Sequence, residues 1–323
     1  MTAPPRAEVA PAPVSARRGW LLVGAVAAIW GCHWTVTKIG LETMPPFTYA
    51  MLRLVTGSMV LAALMRGQHR LRLPDSGDLP IVFSYGLLAI GGAMALMNLA
   101  LLTAPAGRSS VLMYTLPLWV VPLMAIATGA MPTRREVIGL ALGLAGLVLL
   151  LDPTAIGRSS QDALAASAML LLAALLSAVA LVHVRLHRWH GTPYDVQLWQ
   201  LLVALVPMTM LAFALEAPGS ISWDFRTVLI LLYSGPLATA FAYWASQSAA
   251  QAIGPLATSV GFLAVPVVGI IGGALVLGEQ MPLMDALGML ITGLGIGTVM
   301  LAAGPAPGTA RRSLGGRIRA LRP

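Results

Sequence analysis

The sequence predicts an all-α polytopic membrane protein of ten transmembrane helices, arranged as two inverted five-helix repeats. Three observations support this prediction: an apolar composition, a series of apolar runs of membrane-spanning length, and a similarity between the two halves of the chain. Of the 323 residues, 58% are apolar and only 10% are charged, whereas a soluble domain has roughly 25% charged residues. Because a soluble fold must cover its surface with polar groups, this composition favours a protein surrounded by lipid.

Apolar runs long enough to cross a bilayer recur along the whole chain. About 17–25 residues of α-helix span a hydrocarbon layer that is roughly 30 Å thick. Prolines fall at most joints between the runs, where a helix start or a turn tolerates them. The predicted spans are residues 20–38, 46–65, 78–102, 108–129, 135–151, 163–185, 195–215, 226–247, 255–277 and 282–303.

The basic residues predict the orientation of the chain. With the N-terminus placed in the cytoplasm, fifteen arginines lie in inside segments and four basic residues lie outside. Because positive residues are retained on the cytoplasmic side, we expect a multi-pass protein of the inner (plasma) membrane with both termini cytoplasmic. The net charge of +8 lies in short connections without a basic, aromatic-rich face, so we expect no nucleic-acid partner.

The chain divides into two tails and two predicted repeats. Residues 1–19, rich in Pro and Ala, predict a disordered cytoplasmic tail, and residues 304–323 predict a basic cytoplasmic tail. The predicted repeats are residues 20–151 and 163–303.

A shift of 149 residues aligns the later part of one repeat with the other without a gap. Because five helices is an odd number, the second repeat would be upside down relative to the first. Inverted repeats are an architecture of secondary transporters, with a site near the midplane between the halves. Chance alignment of low-complexity apolar sequence is the alternative. The aligned pairs include Ser110/Ser259, Pro117/Pro266, Gly129/Gly278, Gly139/Gly288 and Gly146/Gly295.

Several short motifs occur in an order and spacing that resemble one family. They are Trp30-Gly31, Lys38, Pro45-Pro46, Arg53, Tyr114, Pro117, the glycine-rich run 139–146, Pro266, Gly278-Glu279 and Gly288. Over residues 20–303 the chain resembles the EamA-type transporters of the drug/metabolite transporter superfamily. The resemblance implies a ten-helix carrier, embedded in the lipid bilayer, that exports or exchanges amino acids, related metabolites or amphipathic compounds.

The chain departs from the family's pattern at one helix exit. The family usually has Gly-Glu at the end of the fourth span of both halves. Here the first copy is Gly129-Ala130, while the second keeps Gly278-Glu279. We expect Glu279 to stabilise the N-terminus of the last helix.

One face of the first span has polar and aromatic side chains near the middle of the bilayer. Trp30, His33, Trp34 and Thr37 fall at i, i+3, i+4 and i+7, which places them on one side of a helix. Trp30 lies about 15 Å along the axis from Trp20, deeper than an interfacial aromatic belt. Facing a cavity, this side could stack on or hydrogen-bond a small-molecule substrate. The alternative is ordinary helix packing, with His33 bonded to a neighbouring carbonyl.

Further polar side chains fall within other spans. They are Asn98, Tyr114, Gln200, Tyr243 and Gln247. Each could offer a permeating solute a hydrogen bond, because polar groups inside a bilayer are costly to keep without a function. The alternative for each is a hydrogen bond that joins two helices.

Prolines and glycines predict kinks and close contacts. Pro117 and Pro266 fall near the middle of the fourth and ninth spans, where each can kink its helix. Matched kinks suit a gating motion, and static curvature is the alternative. Small residues spaced along a helix predict close helix packing, between the halves or between subunits. The glycines with this spacing are Gly139, Gly143, Gly146, Gly293 and Gly297.

Two basic residues fall within or at the end of a span. Arg53, about seven residues into the second span, is expected to pair with Glu42 or with a helix terminus. Lys38 lies at the outer end of the first span and is expected to snorkel to the interface. Attraction of a solute carboxylate at the mouth is the alternative for Lys38.

The acidic residues bear on the driving force. None of them lies deep within a predicted span, whereas proton- or sodium-driven carriers usually place a carboxylate near the midplane. We therefore predict export or facilitated downhill movement of small metabolites such as amino acids, by alternating access around a central cavity, or weak coupling through His33. An efflux carrier of drugs or amphipathic compounds is the alternative, and a monomer and a homodimer both remain open.

A membrane-bound enzyme is a further alternative. His183, His187 and His190 resemble a di-iron desaturase box, but such a site needs roughly eight ligands and the chain has five histidines. Neighbouring arginines favour a solvated basic face instead. We expect no catalytic residue, no metal and no cofactor. A channel is disfavoured because the sequence has no motif typical of a selectivity filter.

Overall fold

The structure, a computed structural model, consists of helices joined by short connections. It describes residues 15–151, 161–217, 221–253, 258, 261–262, 264–280 and 282–302. No β-strand occurs within these ranges, so the predicted all-α class is confirmed. Most of the two predicted tails and most of the connection between the predicted repeats lie outside the described residues.

Most helices follow the predicted spans to within a few residues, but α8 continues to Ile253 beyond the predicted end at 247, and α9 begins at Ala264 whereas the span was predicted from 255, in a region that lies partly outside the described residues. Their bounds are α1 Ala16–Gly40, α2 Pro46–Gly67, α3 Ser76–Leu101, α4 Ala106–Thr128, α5 Arg134–Leu151, α6 Gln161–Leu186, α7 Pro193–Leu215, α8 Phe225–Leu232 continued through Tyr233–Phe241 and Ala242–Ile253, α9 Ala264–Leu277 and α10 Leu283–Ala302. Within the described residues, seven helices (α1 to α4 and α6 to α8) are long and apolar enough to cross a membrane. The chain is therefore a polytopic membrane protein, and the count of ten spans stays a prediction.

Three helices depart from regular α-geometry. Residues Tyr85–Gly92 of α3 and Tyr233–Phe241 of α8 are π-helical. This geometry is rare in proteins overall, but where it occurs it is often at a functional site. The helix α4 is interrupted at Tyr114 and Thr115, and its second part begins immediately before Pro117. Proline is favoured in the first turn of a helix because it lacks the N–H that would remain unpaired there.

Helices α5 and α10 pack with their backbones in direct contact. A Cβ added at Gly139 would lie 2.8 Å from the carbonyl oxygen of Gly295, and one at Gly146 would lie 2.6 Å from that of Gly288. This glycine contact joins two helices of one chain. At Gly293 a Cβ would meet nothing within 4 Å, so this glycine makes no close contact with the described residues of its own chain, and its packing between subunits stays a prediction. The close contact instead uses the face of α10 that has Gly288 and Gly295.

Helix α2 approaches the π-helical part of α8 equally closely. A Cβ at Gly57 would lie 3.1 Å from the carbonyl oxygen of Gly235 and 3.2 Å from Cβ of Thr239. This approach places the side chains of α2 that neighbour Gly57 against the π-helical segment.

Carboxylates bind the first N–H groups of helices that are distant in sequence. At the end of α7, Glu216 accepts hydrogen bonds from the backbone nitrogens of Phe47 and Thr48, both at 2.7 Å. After α9, Glu279 accepts from the backbone nitrogens of Ala106 and Gly107, at 2.6 and 3.0 Å. Such carboxylates satisfy N–H groups that have no partner within the helix and favour the positive end of the helix dipole.

The expectation that Glu279 stabilises the last helix was therefore wrong, since it stabilises the start of α4. The physical reason is the chain reversal at Gly278, whose φ of 65° is left-handed and closes the helix end. This turn directs the Glu279 carboxylate back along α9, where Gly273 has no side chain to obstruct it.

At the opposite end of the helices, Asp78 binds the connection between α6 and α7. Its carboxylate accepts hydrogen bonds from Nε2 of His187 at 2.9 Å and from the backbone nitrogens of His190 and Gly191, at 3.1 and 2.8 Å. Asp78 is fully buried, so these bonds fix the connection to the start of α3.

Candidate functional site

A continuous series of polar side chains connects α1, α2 and α8 inside the helix bundle. The hydroxyl of Tyr49 lies 2.6 Å from Oγ of Ser234 and 3.3 Å from Oγ1 of Thr37. The Thr37 hydroxyl in turn lies 3.3 Å from Nδ1 of His33. All four side chains are buried, and polar groups in a bilayer interior require such partners because water is absent.

Arg53 extends this series on the α2 side. Its Nε donates to Oγ1 of Thr239 at 2.9 Å, and that hydroxyl donates to the carbonyl of Ser234 at 2.8 Å. We call His33, Thr37, Tyr49, Arg53, Ser234 and Thr239 the polar network. It spans helices from both predicted repeats, since α1 and α2 belong to the first and α8 to the second.

The predicted pair between Arg53 and Glu42 was wrong. Glu42 follows the end of α1 and forms an exposed ion pair at 2.9 Å with Arg226 at the start of α8. Arg53 lies seven residues into α2, about 10 Å along its axis, and is only 5% exposed. The two terminal nitrogens of Arg53 donate to no group of the described residues, and Nη1 is fully buried.

Aromatic side chains cover one side of the polar network. The indole nitrogen of Trp30 donates to the carbonyl of Ala238 at 2.9 Å. The Trp30 ring makes edge contacts with Tyr243 and Phe262, at centroid distances of 5.5 and 5.4 Å. We call Trp30, Tyr243 and Phe262 the aromatic wall. Trp30 is thus turned towards the other helices of the bundle.

Further tyrosines lie on the helices that form this region and on their neighbours. The ring of Tyr233 stacks on that of His33 at 6.2 Å. Tyr243 lies on α8 four residues after Thr239, Tyr85 begins the π-helical part of α3, and Tyr114 lies at the interruption of α4.

The predicted site residues do not all meet at this place. Trp34 packs in an apolar cluster with Leu101, Ala104 and Leu112, apart from the aromatic wall. Asn98 is fully buried and its amide donates to the carbonyl of Pro46 at 3.0 Å, which is the helix-joining alternative.

The two predicted glutamines lie on α7 and α8. Gln200 is buried on α7, where its backbone carbonyl closely approaches Gly86 of α3. Gln247 lies on α8, and its side chain is outside the described part of the structure.

The two prolines occupy different local structures. Pro117 lies in the first turn of the second part of α4, so a local interruption accompanies it. Pro266 is the third residue of α9, and residues 259–260 and 263, which precede it, lie outside the described residues. Gating by these prolines stays a prediction.

Sequence reasoning missed the role of Tyr49 and Arg53 as neighbours in one site. The signal was present, because residues four apart lie on one face of a helix and both are polar in an apolar span. Ser234 and Thr239 had no such signal, since small hydroxyl residues are common inside membrane helices.

Lys38 has a different role from either expectation. Its Nζ donates to the carbonyls of Leu101 and Ala104, both at 2.7 Å. A cation is favourable there because the carbonyls at a helix C-terminus form the negative end of the dipole. Lys38 thus joins the end of α1 to the end of α3.

The histidine run is only partly a solvated face. His187 is largely buried against Asp78, while the His190 side chain is 53% exposed. Nδ1 of His183 lies 2.7 Å from Oγ of Ser84. Among the described residues, no group of three or more His, Cys, Asp or Glu side chains is arranged to hold a metal ion.

Comparisons with known proteins agree with a transporter. The model of the EamA-like transporter family matches residues 17–152 and again residues 164–301. The uncharacterized transporter YoaV of Bacillus subtilis (strain 168) is 28% identical over 272 residues, covering 84% of this chain and 93% of that protein. A probable amino-acid metabolite efflux pump of Escherichia coli (strain K12) is 26% identical over 295 residues, covering 86% of this chain and 94% of that protein.

A solved crystal structure shows the same fold. It superposes with a TM-score of 0.61 at 20% sequence identity, and the match covers 88% of this chain and 97% of that chain.

Proposed function

Because the chain belongs to the EamA-like transporter family, we propose that it exports small metabolites such as amino acids, or facilitates their movement, by alternating access. The chain is a membrane transporter, and the proposal concerns its substrate and mechanism. The observation that carries it is the polar network, which lies between helices of the two predicted repeats and has the aromatic wall beside it. A carrier needs such a site at the interface between its moving halves.

The packing of the helices supports two inverted repeats of five helices each. Helix α1 packs on α8 and α9, and α6 packs correspondingly on α3 and α4. Helix α2 packs on the π-helical part of α8, and α7 on that of α3. The pairs α2–α7 and α5–α10 each join equivalent helices. Exchanging the first five helices with the last five therefore reproduces each of these pairs.

The π-helical segments support the same relation. They begin at Tyr85 and at Tyr233, which occupy equivalent places in the third helix of each proposed repeat. We propose that these repeats, residues 20–151 and 163–303, move relative to one another and expose the polar network to each side in turn. The termini then lie in the cytoplasm, in accordance with the positive-inside distribution of arginine, and the membrane is the inner membrane.

Amino acids are the first substrates to test. Two of the relatives, from Escherichia coli and Salmonella typhimurium, are described as probable amino-acid metabolite efflux pumps. The second candidate is efflux of amphipathic compounds, which the aromatic wall favours because aromatic faces bind apolar and cationic groups. We propose downhill transport for either substrate, since the deeply placed charged group of the polar network is Arg53 and not a carboxylate.

The test is solute flux into sealed proteoliposomes. Liposomes preloaded with an unlabelled mixture of amino acids should exchange radiolabelled amino acids saturably, and protein-free liposomes should not. An imposed pH gradient should leave the final accumulation unchanged, and strong uphill accumulation would contradict the downhill mechanism. Flux of a fluorescent amphipathic cation without amino-acid flux would assign the second candidate.

A pair of tryptophan variants connects the flux to the proposed site. Trp30→Phe removes the hydrogen bond to Ala238 and part of the aromatic wall, so we expect flux to fall severalfold. Trp20→Phe is the matched control, because Trp20 lies on the same helix and is 51% exposed on the outside of the bundle. Equal flux in both variants would remove the aromatic wall from the transport path.

A further inference from the structure

We propose that the guanidinium of Arg53 binds the carboxylate of the transported solute, so that the protein selects small organic carboxylates, amino acids included. This inference rests on the proposed function. It assigns the charge of the substrate and one residue that recognises it.

Arg53 is a buried cation without an acidic partner among the described residues. An arginine side chain stays protonated in proteins, and burying a charge is costly unless a counter-charge and hydrogen bonds compensate it. Arg53 is 5% exposed and uses Nε for Thr239, yet its terminal nitrogens have no acceptor and it forms no ion pair among the described residues. Among the described residues, this buried anion-binding group has no protein anion as its partner.

The shape of the Arg53 guanidinium suits a carboxylate. With Nε held by Thr239, the guanidinium keeps a fixed plane and its terminal nitrogens remain as donors. A planar pair of N–H donors matches the two oxygens of a carboxylate. The buried hydroxyl of Tyr49, one helical turn from Arg53 on α2, can donate a further hydrogen bond to an anion.

The aromatic wall would contact the rest of the solute. The aromatic wall lies near Arg53 along α8, because Trp30 donates to the carbonyl of Ala238 and Arg53 donates to the hydroxyl of the next residue, Thr239. A solute whose carboxylate meets Arg53 would place an adjoining apolar group against Trp30 and Phe262. The site therefore fits a carboxylate joined to an apolar side chain, and it disfavours a solute of net positive charge.

A structural role for Arg53 predicts a different result from a binding role. If the bond from Arg53 to Thr239 mainly holds α2 against α8, then replacing Arg53 destabilises the empty protein. If Arg53 binds a ligand instead, then Arg53→Met removes a buried charge that has no partner in the ligand-free protein. The ligand-free variant should then be at least as stable as the ligand-free native protein. The thermal midpoint without ligand separates these roles.

The experiment compares carboxylates with their uncharged analogues. Purified protein is heated with L-leucine or L-leucinamide, with L-phenylalanine or L-phenylalaninamide, and with benzoate or benzamide, and the same pairs compete for flux in proteoliposomes. The native protein should be stabilised by the carboxylates and should transport them with an apparent affinity at least tenfold higher than that of the amides. This ratio corresponds to charge-assisted hydrogen bonds from one guanidinium.

Variants of Arg53 should remove this preference. In Arg53→Met the KM for the carboxylates should rise roughly 10- to 100-fold, while transport of the neutral analogues should change little. Arg53→Lys should restore part of the preference, because lysine keeps the charge but not the planar pair of donors. Arg226→Gln is the matched control, since Arg226 is 51% exposed and paired with Glu42 on the surface, and its KM should not change.

The outcomes separate this inference from the proposed function. Saturable transport in which amides and carboxylates compete equally would overturn the role of Arg53 and leave the transporter in place. A destabilised Arg53→Met variant that keeps the preference for carboxylates would assign Arg53 a structural role and also overturn the inference. Absence of flux for every compound, charged or neutral, in native proteoliposomes would count against both.

Discussion

Removal of Glu216 tests how far the fold depends on the junction between α7 and α2. The carboxylate accepts three hydrogen bonds: from the backbone nitrogens of Phe47 and Thr48 at 2.7 Å, and from Oγ1 of Thr48 at 2.6 Å. In Glu216→Ala, two N–H groups at the start of α2 lose their acceptor. The positive end of the α2 dipole loses its counter-charge at the same time.

The size of the effect follows from these bonds. Loss of a helix cap costs about 0.5–2 kcal/mol, and a hydrogen bond to a charged group contributes about 1.5–3 kcal/mol. Because Glu216 is only half-buried, water replaces part of the loss, and we expect Glu216→Ala to lower the free energy of unfolding by about 2–3 kcal/mol. Glu216→Gln keeps one acceptor oxygen and should lose roughly half as much.

The assay is unfolding in mixed detergent micelles, followed by tryptophan fluorescence. Glu42→Ala is the control, because it removes an ion pair whose side chains are 51% and 55% exposed, and exposed pairs contribute about 0–1 kcal/mol. The reasoning is refuted if Glu216→Ala and Glu42→Ala lower the free energy of unfolding by the same amount.

Three further predictions concern other parts of the fold. In Gly146→Ala the new Cβ would lie 2.4–2.6 Å from atoms of α10, so α5 and α10 could not pack together. We expect this variant to give no folded, monodisperse protein on size-exclusion chromatography. Gly293→Ala is the control and should be tolerated, because a Cβ at Gly293 lies in open space. Trp34→Ala should lower the free energy of unfolding by about 3–5 kcal/mol in the same assay. It should leave the preference for carboxylates unchanged, because Trp34 packs in an apolar cluster away from the polar network. A changed preference would refute this. Asp78→Ala should leave the N–H groups of the α6–α7 connection without an acceptor. A protease should therefore cut this connection faster in the variant than in the native protein. Equal rates of cleavage would contradict the anchoring role of Asp78.

Much of the fold could be predicted because its determinants are local. A stretch such as Pro46–Gly67 is apolar, begins with a proline and is long enough to cross a bilayer, and these properties are read directly from its own residues. The same applies to the side of α1 with Trp30 and His33, which helical periodicity places together and which the structure turns into the bundle.

The candidate site was less predictable because it depends on which helices are neighbours. Periodicity also grouped Trp34 with Trp30, but adjacent helices separate them, since Trp34 meets α3 and α4 while Trp30 meets α8. Likewise, Arg53 and Glu42 are close in sequence, yet Glu42 pairs with Arg226 and Arg53 bonds Thr239. Sequence distance was misleading because the nearest side chains in space come from a helix almost two hundred residues away.

By itself the sequence determined the all-helical class, the approximate positions of the helices and the membrane environment. It could do so because each helix must satisfy its own backbone hydrogen bonds in lipid and present apolar side chains to it. Only the tertiary structure decided that Glu279 reaches the start of α4, that Gly295 rather than Gly293 meets α5, and that Arg53 has no counter-charge among the described residues. These facts depend on the contacts between distant helices, and a side chain's partner is decided by distance in space.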